Sequence, residues 1–95
     1  MGIVVALVKL GQQILRKGMS LEPKEYAILA ALHDAMPKGM AEPQILDVLL
    51  KQDSQWTSEE LVRRLETLKE VPAKDGTKMI LVQRFPDGCW RTVGV

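Results

Sequence analysis

Few side chains of this sequence could carry catalysis or hold a metal. His33 is its single histidine and Cys89 its single cysteine. No further Cys or His stands at a spacing typical of metal ligands, and nothing marks a base that would activate the Cys89 thiol. The seven glycines are scattered, without the pattern of a phosphate-binding loop. We therefore predict that the chain is not an enzyme and uses no metal or cofactor.

Length and composition limit the number of domains and the class of protein. A chain of 95 residues, 46% apolar and 26% charged, is expected to fold as one domain over residues 1–95. A single cysteine closes no internal disulfide, which argues against a disulfide-stabilised secreted domain but leaves the compartment open. We expect a cytoplasmic protein. The apolar run at residues 3–8 is too short to cross a membrane and lacks the features of a signal peptide.

The formal charge of +1 is unevenly distributed. Residues 1–18 hold three bases and no acid, residues 19–55 hold three bases and six acids, and residues 56–95 hold seven bases and six acids. A strongly basic domain would indicate nucleic-acid binding, because phosphate neutralisation supplies most non-specific affinity. In this chain the net positive charge is small, so it indicates nucleic-acid binding only weakly.

Apolar spacing predicts four helices. The first covers residues 3–16, although its β-branched start could also form a strand. The second covers residues 21–36, with Ser20 as N-cap and Pro37 and Gly39 at its end. A third is opened by Glu42 and Pro43 and covers residues 42–51. After a polar turn at residues 53–55, the fourth covers residues 57–70, capped by Thr57 or Ser58 and stopped by Pro72.

The end of the chain is typical of a β-hairpin. Residues 79–85 form an extended apolar run, Pro86-Asp87-Gly88 is a turn signal, and residues 89–95 return to β-type side chains. Residues 73–77 are predicted as a charged loop between the last helix and this hairpin. The predicted fold class is mainly α with a small β-hairpin.

This order of elements resembles the winged helix-turn-helix superfamily over residues 20–95. The resemblance implies a three-helix core, with Met40 on a short strand, residues 57–70 as the recognition helix and residues 79–93 as the wing. In members that bind double-stranded DNA, the recognition helix lies in the major groove and the wing contacts phosphates. By position, the implied base-facing residues are Ser58, Arg63, Arg64 and Thr67. The implied phosphate contacts are Lys74, Lys78, Arg84 and Arg91.

Two functions follow from the resemblance. The first, which is the function that we predict, is a DNA-binding transcriptional regulator, and it is supported by the fold resemblance. The second is a protein-interaction or assembly module, favoured by the near-neutral charge and by four glutamates on the predicted recognition helix. In that case Arg63 and Arg64 are expected to pair with Glu59 and Glu60 at i, i+4 and to stabilise the helix surface.

The aromatic residues and the N-terminal segment complete the predictions. Trp56, Phe85 and Trp90 are expected to lock elements onto the core rather than to stack on bases. The apolar stripe of residues 3–16 is too wide for a solvated appendage, so it must pack on the core or pair with a second copy. We favour a homodimer. Its predicted interface residues are Ile3, Leu7, Leu10 and Ile14.

Overall fold

The computed structural model describes residues 21–93, which form a mixed α+β fold. The described elements, in chain order, are α1 (Pro23–Asp34), α2 (Glu42–Gln52), α3 (Ser58–Lys69), β1 (Val71–Pro72), β2 (Lys78–Met79), β3 (Val82–Arg84) and β4 (Trp90–Thr92). This agrees with the predicted class of a mainly helical fold with small β elements. The predicted helix at residues 3–16, its four interface residues and the Ser20 cap lie outside the described residues.

Helix α1 is shorter than the predicted span of residues 21–36. It begins at Pro23, with Glu22 as the N-cap residue, and the Glu22 N–H donates to Glu25 Oε1 at 2.9 Å. It ends at Asp34. Because the residue before a proline is disfavoured in the helical region, Pro37 prevents Met36 from extending the helix.

Helix α2 and the turn after it follow the prediction closely. The helix runs one residue beyond the expected end, to Gln52. At its start the Ala41 N–H donates to Gln44 Oε1 at 3.0 Å. In the predicted polar turn the Gln55 N–H donates to Asp53 Oδ1 at 3.0 Å. Such a side-chain bond two residues along is how aspartate stabilises turns.

Helix α3 has the predicted cap but a different end. Thr57 Oγ1 accepts a hydrogen bond from the Glu60 N–H at 3.1 Å, which confirms Thr57 as the N-cap. The helix ends at Lys69, one residue before the predicted end. Pro72 is not its direct stop, since it already belongs to β1.

The expectation of one continuous strand over residues 79–85 is wrong. Lys78–Met79 pairs with Val71–Pro72 in a first antiparallel hairpin, whereas Val82–Arg84 pairs with Trp90–Thr92 in a second. Residues 73–77 are thus the turn of the first hairpin. The change of partner occurs at Leu81, whose N–H donates to Leu68 O at 3.1 Å while its carbonyl accepts from the Val93 N–H at 2.9 Å. Pro86-Asp87-Gly88 forms the tip of the second hairpin, as predicted, and Gly88 adopts a φ of 85°.

Within residues 21–93, the core joins α1, α2 and α3 to both hairpins. Helix α1 packs against α2 and β4, and α3 packs against α2 and β3. Trp56 and Trp90 are buried in this cluster, which confirms their predicted structural role, and Phe85 is half-buried. Met40 forms the predicted β contact, with mutual backbone hydrogen bonds to Trp90 of 3.1 and 2.7 Å.

Gly39 is required where the α1–α2 connection meets β4. Its φ is +74°, and a Cβ there would overlap the backbone carbonyl oxygen of Trp90. Gly76 has a similar φ of +88°, with open space around it. We expect Gly76→Ala to lower the free energy of unfolding by about 1 kcal/mol through backbone strain alone. We expect Gly39→Ala to cost roughly 2 kcal/mol because overpacking adds to the strain. Urea denaturation of both variants measures the difference, and equal losses would contradict the close approach to Trp90.

Candidate functional site

The four residues predicted to face DNA bases do not share one face of α3. Arg63 and Thr67 lie on its solvent side, and the Thr67 hydroxyl donates to the Arg63 carbonyl at 3.1 Å. Ser58 is exposed at the first turn. Arg64 instead points toward α1, and only 14% of its side chain is exposed. A helix in the major groove could therefore present three of these side chains, not four.

Arg64 is enclosed by carboxylates of its own chain. Its guanidinium lies 2.6 Å from Glu22, 3.7 Å from Glu25 and 3.7 Å from Glu60. Burial opposes the charge of Arg64, but the hydrogen bond to Glu22 and the three negative charges outweigh burial and raise its pKa. Arg64 therefore ties α3 to the start of α1.

Glu60 connects this cluster to Lys24. The Lys24 ammonium donates to Glu60 Oε1 at 2.8 Å, and Arg63 lies 3.5 Å from the other carboxylate oxygen. The Lys24 hydrogen bond, aided by the charges of Lys24, Arg64 and Arg63, lowers the pKa of Glu60 against the opposing effect of burial. Of the two predicted i, i+4 pairs, Glu60 with Arg64 is present, whereas Arg63 contacts Glu60 instead of Glu59.

The solvent side of α3 and its C-cap residue together carry a small excess of acids. Glu59, Glu66 and the C-cap residue Glu70 are exposed there, against two exposed cations, Arg63 and Lys69. Lys69 lies toward β4, where its ammonium approaches Glu66 at 3.2 Å and the Trp90 ring at 5.8 Å. The face that would meet a DNA groove thus carries more negative than positive charge.

The predicted phosphate contacts divide into two groups. Lys74, Lys78 and Arg84 are exposed on the two hairpins. Arg91 is held by its own chain, since its Nε donates to Pro37 O at 2.9 Å and its Nη2 lies 2.7 Å from Asp87.

Further contacts fix Arg91 in place. Its guanidinium carbon lies 4.4 Å from the centre of the Phe85 ring. The hydrogen bond from the Cys89 backbone N–H and then that from Arg91 lower the pKa of Asp87. A cation with this many partners would have to give up several contacts to reach a phosphate.

Two shallow depressions run along one side of α3, and we call them together the α3 groove. Ser58 and Val62 line one depression together with Glu42 of α2, whereas Glu66 and Lys69 line the other beside β3. Residues 58, 62, 66 and 69 follow helical spacing, so the two depressions follow one another along the same side of α3. Val62 is 40% exposed and Ile80, which precedes β3, is 51% exposed. The residues lining the groove are Glu42, Ser58, Glu59, Val62, Arg63, Glu66, Lys69, Glu70, Ile80, Val82 and Gln83.

The sequence contained a signal for the Arg64 cluster that residue types alone did not reveal. Glu25 stands in the same helical row as Ile28, Leu29 and Leu32, and Arg64 adjoins Leu65 on the buried side of α3. A charge on an apolar row is costly unless it is paired. Opposite charges on the core rows of two helices therefore predict an ion pair between those helices.

Comparison of the chain with protein-family models, with curated proteins and with solved structures finds no match. Over residues 21–93, no group of three or more His, Cys, Asp or Glu side chains is arranged to hold a metal ion. No helix in the same range has both the length and the apolar character needed to cross a membrane.

Proposed function

We propose that the chain is a winged-helix domain that serves as a protein-interaction or assembly module, with α3 and β3 as its contact surface. The winged-helix part of the proposal is supported by the order of α1, α2 and α3, by the β contact of Met40 with Trp90, and by the hairpin that follows α3. Function is argued from the surface, because winged helices serve more than one role.

The acidic solvent side of α3 carries the proposal. In a DNA-binding winged helix this side would approach phosphates, and Glu59, Glu66 and Glu70 would repel them there. Arg64 and Arg91, which the resemblance assigns to DNA, are engaged by carboxylates within the chain. The groove beside this face offers the exposed apolar side chains of Val62 and Ile80, which suit a protein partner.

A DNA-binding regulator is the second candidate function. It is favoured by the exposed Lys74, Lys78 and Arg84 on the hairpins, since bases on a wing can contact the phosphate backbone. In this case α3 would contribute only Ser58, Arg63 and Thr67 to base contacts. The two functions predict different DNA affinities. A DNA-binding regulator should bind DNA with an affinity that falls as the salt concentration rises, whereas an interaction module should not bind DNA.

Fluorescence anisotropy with a random-sequence DNA duplex at about 50 and 200 mM salt separates the two candidates. We expect no binding by the wild-type chain at either salt concentration. The matched variant carries Glu59→Lys, Glu66→Lys and Glu70→Lys, which are all exposed substitutions. Because it removes the repulsion and adds three cations, we expect this variant to bind DNA at the lower salt concentration only.

Binding of the wild-type chain that falls steeply with salt would overturn the interaction-module proposal in favour of the DNA regulator. In that event, Lys78→Ala and Arg84→Ala should reduce the salt dependence by about one unit of slope each, whereas Lys51→Ala, an exposed base on α2, should not.

A further inference from the structure

The α3 groove combines exposed apolar side chains, one in each of its two depressions, with an excess of carboxylates. Val62 and Ile80 contribute the apolar surface. Four carboxylates (Glu42, Glu59, Glu66 and Glu70) and two cations (Arg63 and Lys69) line it, a net charge of −2. An occupant that fits this surface would present an apolar stripe flanked by positive charge.

The N-terminal segment of this same chain has that chemistry. Residues 1–18 carry Lys9, Arg16 and Lys17 and no acid, a net charge of +3. Their apolar residues recur at helical spacing, with Ile3, Leu7, Leu10 and Ile14 in one row. The length is also suitable, because a helix of 12 residues such as α3 extends about 18 Å and residues 3–16 could match it.

The point where the segment joins the described fold favours a second copy as the donor. Glu22 contacts Arg64, so the chain enters α1 on the Arg64 side of α3. Val62 is two residues before Arg64 and therefore lies about 160° around the helix from it, on the groove side. With only residues 18–21 between the segment and Glu22, a segment of the same copy would have to cross the solvent side of α3. A segment from a second copy would not.

We propose that the α3 groove binds the N-terminal segment, residues 3–17, of a second copy of this chain, in a reciprocal homodimer. The inference rests on the proposed interaction function and deepens it by naming the partner. The apolar row of the segment packs on Val62 and Ile80, and its three cations lie beside the glutamates of the groove. A reciprocal exchange uses the same contact twice, as a two-fold dimer requires.

Cross-linking between single-cysteine variants tests which copy supplies the segment. In a Cys89→Ser background, one variant carries Leu7→Cys and the other Ile80→Cys. The two full-length chains are mixed and treated with a short bismaleimide, and the linked peptides are identified by mass spectrometry. We expect a product joining positions 7 and 80. The matched acceptor is Tyr26→Cys, which lies on α1 and has a similar exposure of 38% in the wild-type residue.

Several outcomes would overturn the proposal. One is the absence of a product between positions 7 and 80 in the mixture. Another is an equal yield with Tyr26→Cys, since that indicates random collision. A third is a product formed only within one chain when Leu7→Cys and Ile80→Cys are on the same molecule, because the segment then occupies the groove of its own copy.

Sedimentation equilibrium of the full chain gives an independent measurement. Ile80→Ser removes exposed apolar surface from the groove, so we expect the dimer dissociation constant to rise about tenfold or more, while circular dichroism stays unchanged. Tyr26→Ser should leave it unchanged. If the wild-type chain is monomeric and does not bind DNA, the homodimer inference is overturned and the proposed interaction function is not. If the wild-type chain binds DNA with an affinity that falls with salt, the proposed function itself is overturned.

Discussion

Replacing Trp90 with alanine is expected to lower the free energy of unfolding by about 3–5 kcal/mol. Trp90 is 2% exposed, and its ring connects several elements. Its Nε1 donates to Glu42 Oε1 at 3.3 Å, at the start of α2, and the ammonium of Lys69 in α3 lies over the ring. The truncation would leave a cavity where α1, α2 and β4 meet. Since small domains are stable by only about 5–15 kcal/mol, the variant should be near the limit of folding.

Trp90→Phe separates packing from hydrogen bonding at this position. It keeps an aromatic ring in the core but removes the Nε1 donor to Glu42, so we expect a loss of about 1–2 kcal/mol. Urea denaturation followed by far-UV circular dichroism measures both variants. A loss below about 1 kcal/mol for Trp90→Ala would contradict the burial of Trp90, because truncating a buried tryptophan costs more than that.

Helix positions could be predicted because each helix carries its own signals. Rows such as Ile28, Leu29 and Leu32 repeat at helical spacing, and Thr57 provides a cap that needs no tertiary contact. The ends of the helices were harder to predict from the sequence. Helix α1 ends two residues before Met36 because of the following proline, and α3 ends at Lys69 because the chain turns there into β1.

The split of the C-terminal run between two hairpins depends on tertiary contacts. Residues 79–85 look continuous in sequence, and the break occurs where Leu81 bonds to Leu68, far away in the chain. One local signal did exist. Asp75-Gly76 is a turn pair between two β-type stretches, and the Thr77 N–H donates to Asp75 Oδ1 at 3.0 Å. Reading this pair as a turn would have predicted the first hairpin.

The candidate site was predicted only in part because charged residues were considered one by one and were not grouped by the helix face on which they lie. By residue type alone, Arg63 and Arg64 were equally good candidates for contacts to DNA bases. Helical geometry separates them, since the side chain of Arg63 is 70% exposed and that of Arg64 is 14% exposed. The same geometry places Glu59 and Glu66 on the face that remains in solvent, and Glu70 follows as the exposed C-cap residue. Counting charge by helix face would therefore have favoured the interaction module before any coordinates were known.

These two neighbouring arginines provide the second large prediction. We expect Arg64→Ala to lower the free energy of unfolding at pH 7 by about 3 kcal/mol, because it leaves the buried Glu25 without its cation and brings like charges together. Glu22 is mostly exposed, which keeps the loss at the low end for such clusters. Arg63→Ala is the matched control. Its single long contact with Glu60 is exposed, so we expect a loss of less than about 0.5 kcal/mol.

The pH dependence checks the cause of the Arg64 effect. The folded-state pKa of Glu60 is lowered, so its contribution to stability is complete above the ordinary pKa of glutamate and is lost as the pH falls through the lowered value. Without Arg64, Glu60 loses one of the positive charges that lower its pKa, so protonation of Glu60 costs the variant less stability than it costs the wild type. Urea denaturation at pH 7 and near pH 4 should therefore give a smaller difference between wild type and Arg64→Ala at the lower pH. A difference that does not change with pH would mean that Arg64 stabilises the fold through the packing of its aliphatic stem, not through its charge.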